Sequence, residues 1–517
     1  MLNTPKSTRL YFVIALAVTT CIYMAIAASG RPGGGQTHSS SSSSRSSSSG
    51  SSGSSRSSSG SSSGSVSSGV SSGSSGYSGG SSSSSGGAVF GAIIFLFMIF
   101  FVVMVLVVVA RAARKKSTPA PYSPGAAANL ALELETLKRA DPNFSMMLFI
   151  DFVNKLYAAA HEARGAGRMD LLAPYIYEGA QNYLLSIGSA ATGLSAVTGV
   201  VIGTSKVVDV QNPAAGPAIT VFFESNYTEI DQSGGQRSYY AEERWTFRRD
   251  AGLVSLPPGK IDAIHCPKCG GPLERSESGA CAYCNTVVRC GQFHWFVSDA
   301  VTLDRNERGP QLTQETEETG TDLPTVYQPG FQQTVSAFIA SNPGFSWDRM
   351  NERVNYIFHS ISRAWTTLEW ERARPFETDN IFQMHRYWIE AYKRQQLRNV
   401  LDKIQVNRIE WVKVEQDAFY DSLTARIWAS EVDYTADASG RVVCGSPQKL
   451  RSFTEYWTFI RTRGAKQVEQ RDDHCPNCAA PLSVNMAGTC EFCGGKVASG
   501  EFDWVLSRID QDESYTG

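Results

Sequence analysis

Acidic residues are missing from the first 116 positions of this 517-residue chain, although the chain holds 49 of them in all. Nine of its 47 basic residues (Lys6, Arg9, Arg31, Arg45, Arg56, Arg111, Arg114, Lys115 and Lys116) lie in that acid-free leader. From Ser117 onward 38 basic residues face 49 acidic ones, a net charge of −11. Phosphate recognition needs clustered Lys and Arg, so this acidic part excludes nucleic acid as the main partner. Also missing are a Walker loop, a dinucleotide-binding glycine fingerprint, a nucleophile elbow and a His-Glu-x-x-His helix. Each absence removes an enzyme class, and the chain is read as a non-enzyme.

The leader reads as a membrane device. Residues 1–28 hold a basic start and the uncharged run Leu10 to Ala28, either a signal peptide cleaved after Ala25-Ile26-Ala27 or a first transmembrane helix. Ala88 to Ala110 is an uncharged run of 23 residues dominated by Phe, Ile, Val, Leu and Met, long enough to cross a hydrocarbon layer of about 30 Å. Arg111, Arg114, Lys115 and Lys116 follow it, and the positive-inside rule puts everything beyond them in the cytoplasm. Between the runs, residues 39–87 contain 33 Ser and 11 Gly; such a segment cannot bury enough apolar area to offset its chain entropy and reads as disordered. The expected order is 29–87 Ser/Gly-rich segment, 88–110 span, and 111–128 basic stop and linker.

Beyond the linker the sequence repeats. Pro142-Asn143-Phe144-Ser145 returns as Pro343-Gly344-Phe345-Ser346, and Glu243-Arg244-Trp245-Thr246-Phe247 as Glu455-Tyr456-Trp457-Thr458-Phe459. His265-Cys266-Pro267-Lys268-Cys269 returns as His474-Cys475-Pro476-Asn477-Cys478. From His265 onward the offset stays at 209, carrying Pro272-Leu273 onto Pro481-Leu482, Gly279 onto Gly488 and Trp295 onto Trp504, and such matches at a held offset are the mark of tandem duplication. In the second copy Met350, Val354, Ile357, Phe358, Ile361, Ala364, Trp365 and Leu368 fall on one helical face, and the first copy predicts a similar helix from Phe144 to Ala163. Second helices are expected over 169–187 and 379–397, then strands over 195–210, 218–230 and 237–248 and over 400–416, 421–434 and 450–461. Helices followed by an antiparallel sheet give an α+β module.

Eight of the 11 cysteines form two sets of one spacing: Cys266-x2-Cys269-x11-Cys281-x2-Cys284 and Cys475-x2-Cys478-x11-Cys490-x2-Cys493. Paired Cys-x2-Cys knuckles place four thiolates around one tetrahedral zinc, so two structural zinc ions are expected; four sulfurs leave no open position for catalytic water. A disulfide framework suits an oxidising compartment, and none is expected here. Cys21 lies in the first apolar run, Cys290 and Cys444 read as packed thiols, and His265 and His474 read as neighbours of the metal sites rather than ligands. Trp245, Trp457, Phe247 and Phe459 read as core aromatics, and Glu243 and Glu455 as solvated strand residues. His161 has no counterpart in the second copy, whereas duplicated chemistry would duplicate its base.

The order of helices and strands ending in Trp245-Thr246-Phe247-Arg248-Arg249 and Trp457-Thr458-Phe459-Ile460-Arg461 resembles the C-terminal domain family of the mitochondrial inner-membrane translocase subunit forty-four, the import-motor anchor, and its bacterial relatives. Met169 to Pro174 and Ile381 to Lys393 extend the resemblance. Some bacterial members are similar in having an N-terminal span and a ribbon ending in Phe-x-Trp, as at Phe293-His294-Trp295 and Phe502-Asp503-Trp504. The resemblance implies two tandem cone-shaped domains like nuclear transport factor two, over 129–262 and 331–472, each holding an apolar pocket. Zinc ribbons at 263–303 and 473–511 follow them, with a linker at 304–330 and a tail at 512–517. It implies an integral protein of the bacterial cytoplasmic membrane that scaffolds a polypeptide, a membrane protein or a lipid at the cytoplasmic face. This chain lacks the mitochondrial member's long chaperone-binding region, so protein import is not carried over. The alternative is an isomerase or dehydratase with its site in one cone.

Overall fold

The computed structural model describes residues 124–188, 193–258, 265–274, 279–309, 312–313, 321–465, 473–512, 515 and 517. The expected spans at 10–28 and 88–110, the Ser/Gly-rich segment and the basic stop lie outside them. Among the described residues no helix is long and apolar enough to cross a membrane.

The same element order occurs twice. The first module runs α1 (Pro124–Ala140), α2 (Met146–Ala166), a 3-10 turn (Met169–Leu172), α3 (Glu178–Ser186), β1 (Leu194–Gln211), β2 (Ala218–Asp231), β3 (Gln236–Arg248) and β4 (Phe296–Glu307). The second runs α4 (Phe331–Ser341), α5 (Trp347–Thr367), a 3-10 turn (Trp370–Phe376), α6 (Asp379–Arg394), β5 (Leu397–Gln416), β6 (Tyr420–Asp437), β7 (Val442–Thr462) and β8 (Val505–Gln511). Each set of four strands forms one antiparallel sheet in sequential order. The architecture is α+β, as expected.

Both long helices start at a Ser cap, the side-chain oxygen of Ser145 accepting from the Leu148 amide at 3.3 Å and that of Ser346 from the Arg349 amide at 3.4 Å. A serine at this position satisfies an amide that the first turn leaves free. The inner stripe of α2 (Phe149, Phe152, Val153, Leu156, Tyr157 and Ala160) buries against Val221, Phe223, Trp245 and Phe247 of the sheet. In α5 the stripe Met350, Val354, Ile357, Phe358, Ile361 and Trp365 meets Leu423, Ala425, Trp457 and Phe459 in the same way.

Two expectations change. The helix expected over 169–187 is broken into a 3-10 turn and α3. Pro174 falls in the break, where its ring cannot continue a helical ladder. Phe296–Glu307, assigned mostly to the first ribbon, is a sheet strand: Trp245 of β3 pairs with Ala300, and Trp457 of β7 pairs likewise with Ile509 of β8. Each cysteine segment is therefore an insertion between the third and fourth strands of its sheet, held at both ends by β pairing.

The modules pack against each other. The opposite face of α2 supplies Met147 and Leu148 to an apolar cluster with Phe419, Tyr420, Ile460 and Val505 of the second module. Farther along that face, Asn380 of α6 donates to Asp151, and Lys155 lies 3.9 Å from Asp379.

Candidate metal centres and buried polar clusters

Each knuckle closes in the same way. The amide of Gly270 donates to the Cys266 carbonyl at 2.8 Å and that of Asn285 to Cys281 at 2.9 Å; in the second ribbon Ala479 donates to Cys475 and Gly494 to Cys490, both at 2.9 Å. All four donors sit in the left-handed region, with φ of 74°, 50°, 58° and 71°. Glycine adopts this conformation freely, while Asn285 and Ala479 hold it because the knuckle imposes it. The turns bring the eight thiols named from spacing into two groups, Cys266, Cys269, Cys281 and Cys284, and Cys475, Cys478, Cys490 and Cys493. Within each group all sulfurs lie within 4.8 Å of one another.

The sulfur geometry tests the fit to a metal. Sγ separations are 4.0 Å for Cys266–Cys284, 3.9 Å for Cys269–Cys281, 3.8 Å for Cys475–Cys493 and 4.0 Å for Cys478–Cys490. A tetrahedron with metal–sulfur bonds of about 2.3 Å has edges of about 3.8 Å. A disulfide needs sulfurs near 2.05 Å, so the tetrads match coordination and not oxidation. Hydrogen bonds from Thr286 draw the partly buried Cys284 down to about 7 and the Gly495 amide draws the exposed Cys493 down to about 6, whereas burial pushes Cys266 up to about 11 and Cys475 up to about 12. The two tetrads could each hold one metal ion, and their donor set is compatible with zinc.

His265 and His474 take no place among the sulfurs. Each forms a single β bridge, with Pro272 and Pro481, and the His265 carbonyl accepts from the Tyr175 hydroxyl at 2.7 Å. Cys290 donates to the Ala173 carbonyl at 3.0 Å, and Cys444 is buried. Cys21 lies outside the described residues.

The cores are more polar than the sequence led us to expect. Glu243 and Glu455 are not solvated; they are 0% and 1% exposed. Each accepts a hydrogen bond from the indole two residues on, Trp245 at 2.8 Å and Trp457 at 2.9 Å. His161, also 0% exposed, puts Nε2 3.5 Å from Glu243 and stacks on Tyr227. Burial holds its pKa below the ordinary value. Beside it Arg164 donates to Glu229 at 2.8 Å, and Arg305 reaches the same carboxylate at 2.7 Å. The signal for Glu229 was present in the sequence: it continues the inward alternation Val221, Phe223, Ser225, Tyr227.

The second module buries a different pair, Glu377 and His385, 2.8 Å apart and 0% and 1% exposed. Counting from the Ser caps, their positions correspond to Ile176 and Leu184, both buried apolar residues. By the same count Ser362 stands where His161 does. The two modules thus share the Glu-x-Trp element and the metal-type tetrads, but not a titratable dyad.

The comparison with known families falls on this second module. Residues 331–472 match the Tim44-like domain. The Tim44-like match spans α4 to the end of β7 and stops before the second tetrad. No curated protein shows significant similarity to the chain.

Proposed function

We propose that the protein is a membrane-anchored scaffold that presents two Tim44-like modules, each carrying one structural zinc, to a polypeptide, a membrane-protein partner or a lipid at the cytoplasmic face of a bacterial membrane. The observation that carries this reading is the Tim44-like match over residues 331–472, a scaffold domain of membrane-associated proteins. The first module supports it by repeating the element order, the Ser cap and the Glu-x-Trp strand. Duplication gives a bivalent display, in which a second contact forms at high effective concentration. The membrane anchor rests on the leader's hydrophobic runs and the basic residues behind the second.

In this reading Cys266, Cys269, Cys281 and Cys284 hold one zinc and Cys475, Cys478, Cys490 and Cys493 the other. Zinc supplies the cross-link that these short insertions cannot obtain from core packing; closed four-sulfur sites do so without catalysis. Photo-crosslinking from the modules in intact cells, read by mass spectrometry, tests the scaffold. One recurrent membrane or peptide partner is expected, and repeated recovery of background proteins alone would refute it.

A second reading, an isomerase or dehydratase with its site in one cone, draws on the buried His161–Glu243 and His385–Glu377 pairs. Buried dyads of this type are common in active sites and also serve as structural pairs. Here each is enclosed by aromatic rings, Tyr157, Tyr227 and Trp245 around His161 and Trp365 and Trp370 around His385. The scaffold reading predicts that His161→Phe leaves the crosslinked partners unchanged; the enzyme reading predicts a lost turnover at unchanged partner binding.

A further inference from the structure

The two modules differ at one place where their backbones agree. Gly165 in α2 and Thr366 in α5 lie the same distance after the Ser caps of their helices. Gly165 lets β1 come close: a Cβ there would stand 2.1 Å from the Val197 amide nitrogen and 2.5 Å from the Ala196 carbonyl carbon. Thr366 instead props the strand away. Its hydroxyl accepts from the Leu401 amide at 3.0 Å, and Leu401 occupies the place of Val197, facing Asp433 as Val197 faces Glu229. The result is a cleft of about 330 Å3 between α5 and β5, lined by His359, Arg363, Thr366, Thr367, Leu401 and Ile404.

The strand wall carries a second difference. Both edge strands slip register just beyond this point, between Thr198 and Val201 in β1 and between Asp402 and Gln405 in β5. The left-handed residue in the slip is Gly199, φ 59°, in the first module and Lys403, φ 51°, in the second. A lysine held where glycine fits freely is strained, and such strain gathers at sites that use the residue. The first module's slip is also covered, since a methyl on Gly199 would lie 3.5 Å from the Tyr387 ring of α6.

The charges complete the picture. His359 and Arg363 stand one turn apart on α5, so an anion held at Arg363 would also lie beside the His359 ring. Among the described residues His359, Arg363 and Lys403 have no ion pair, and their first-module counterparts are Ala158, Glu162 and Gly199. Leu401 and Ile404 supply an apolar wall beside the Arg363 side of the cleft.

We infer that the cleft between α5 and β5 binds a small anion bearing a short apolar arm, a phosphate monoester or a carboxylate, with the anion at Arg363 and His359 and the arm against Leu401 and Ile404. The site belongs to the second module alone. Arginine provides a forked donor for such an oxyanion, and the two threonine hydroxyls border it.

The test uses the full chain in nanodiscs with 13C-labelled histidine, and hexyl phosphate, inorganic phosphate and hexanoate as probes. Burial and the neighbouring Arg363 hold His359 below its ordinary pKa, so a bound anion should raise it, saturably. Hexyl phosphate is expected to bind more tightly than inorganic phosphate; equal affinities would overturn the role of the apolar wall. Arg363→Gln, at an exposed position, is expected to weaken binding about tenfold or more. Lys403→Gly restores the first module's residue and should raise the thermal midpoint by relieving the left-handed lysine. A His359 that does not respond, or unchanged affinity in Arg363→Gln, would overturn the site. Discs of zwitterionic and of anionic lipid separate two sources of the same chemistry: a shift with anionic discs alone assigns the site to a headgroup, and a shift with hexyl phosphate in zwitterionic discs to a soluble ligand.

Discussion

Lys155 of α2 lies 3.9 Å from Asp379 of α6, and this contact crosses from the first module to the second. Asp379 also pairs with Arg374 and accepts from Lys496 at 3.1 Å, so a single carboxylate ties the seam to the second ribbon's flank. Arg374 in turn donates to the Met486 carbonyl at 3.0 Å, within the cysteine insertion itself. Docking of the modules and order in the second insertion are therefore one mechanical system.

Metal loss should act differently at the two tetrads. Cys266→Ser and Cys475→Ser are each expected to lower bound zinc from two ions per chain to about one, since metal binding and local folding are coupled in such sites. Only Cys475→Ser should loosen the seam, because Lys496 and the Met486 carbonyl are held by the second tetrad. Hydrogen exchange at Met147 to Lys155 checks this: faster exchange in Cys475→Ser and little change in Cys266→Ser. Equal exchange in the two variants would disconnect the ribbon from the seam.

The seam is also sensitive to pH, through Asp151. Burial pushes its carboxyl up to about 6 from 3.8, against the pull of Lys155. Between these values the folded protein holds a proton that the unfolded chain does not. This contribution is present in full below about pH 3.8 and is lost as pH rises through about 6. Asp151→Asn imitates the protonated form, so it should stabilise the protein by about 1–2 kcal/mol at neutral pH, residual solvent at this mostly buried position reducing the gain, and by little near pH 4. His294 works the other way: burial draws it from 6.5 down to about 4, and its contribution is lost as pH falls across that range. Thermal midpoints of the parent, Asp151→Asn and His294→Phe across this range would separate the two slopes.

Gly165 offers a steric test of the close approach in the first module. The atoms that a Cβ would meet belong to the Ala196 and Val197 backbone, which cannot rotate aside. Gly165→Ala should destabilise by about 3 kcal/mol or more, although alanine is the better helix former by about 1 kcal/mol. Thr366→Ala, with no such contact, should cost about 1 kcal/mol, the value of its bond with Leu401. Denaturant midpoints for the two variants check the order; a stabilising Gly165→Ala would mean that β1 sits farther from α2.

Much of this was legible in the residues. Eight cysteines of one spacing were enough to place both tetrads, because the knuckle geometry is local and spacing encodes it. The apolar stripe of α5 and the matching helix over 144–163 were readable for the same reason, whereas the caps at Ser145 and Ser346 were not picked out. The fourth strands were hidden: β4 follows the Phe293-His294-Trp295 element assigned to the ribbon, and nothing local says that it pairs with β3 some fifty residues earlier. Glu377, Arg164 and His385 were also missed, since a buried charge can be recognised only with the partner that folding brings to it. The α1 helix starts at Pro124, where a linker was expected.

The buried pair Glu377–His385 can be set against the first module's own solution to the same position. Ile176 and Leu184 fill those places there with apolar side chains of comparable bulk. Burying a polar pair costs desolvation that its attraction only partly returns, whereas removing one partner strands a polar group in the core. His385→Leu alone should therefore destabilise the second module by about 3 kcal/mol, leaving the Glu377 carboxylate without its Nδ1 contact at 2.8 Å. Adding Glu377→Ile, which recreates the first module's pair, should recover most of that loss and bring the double variant to within about 1 kcal/mol of the parent or above it. Urea unfolding of the parent, both single variants and the double variant gives the coupling directly. If the double variant is as unstable as the sum of the singles, the pair contributes more than packing, and a role for His385 in binding or proton transfer regains weight.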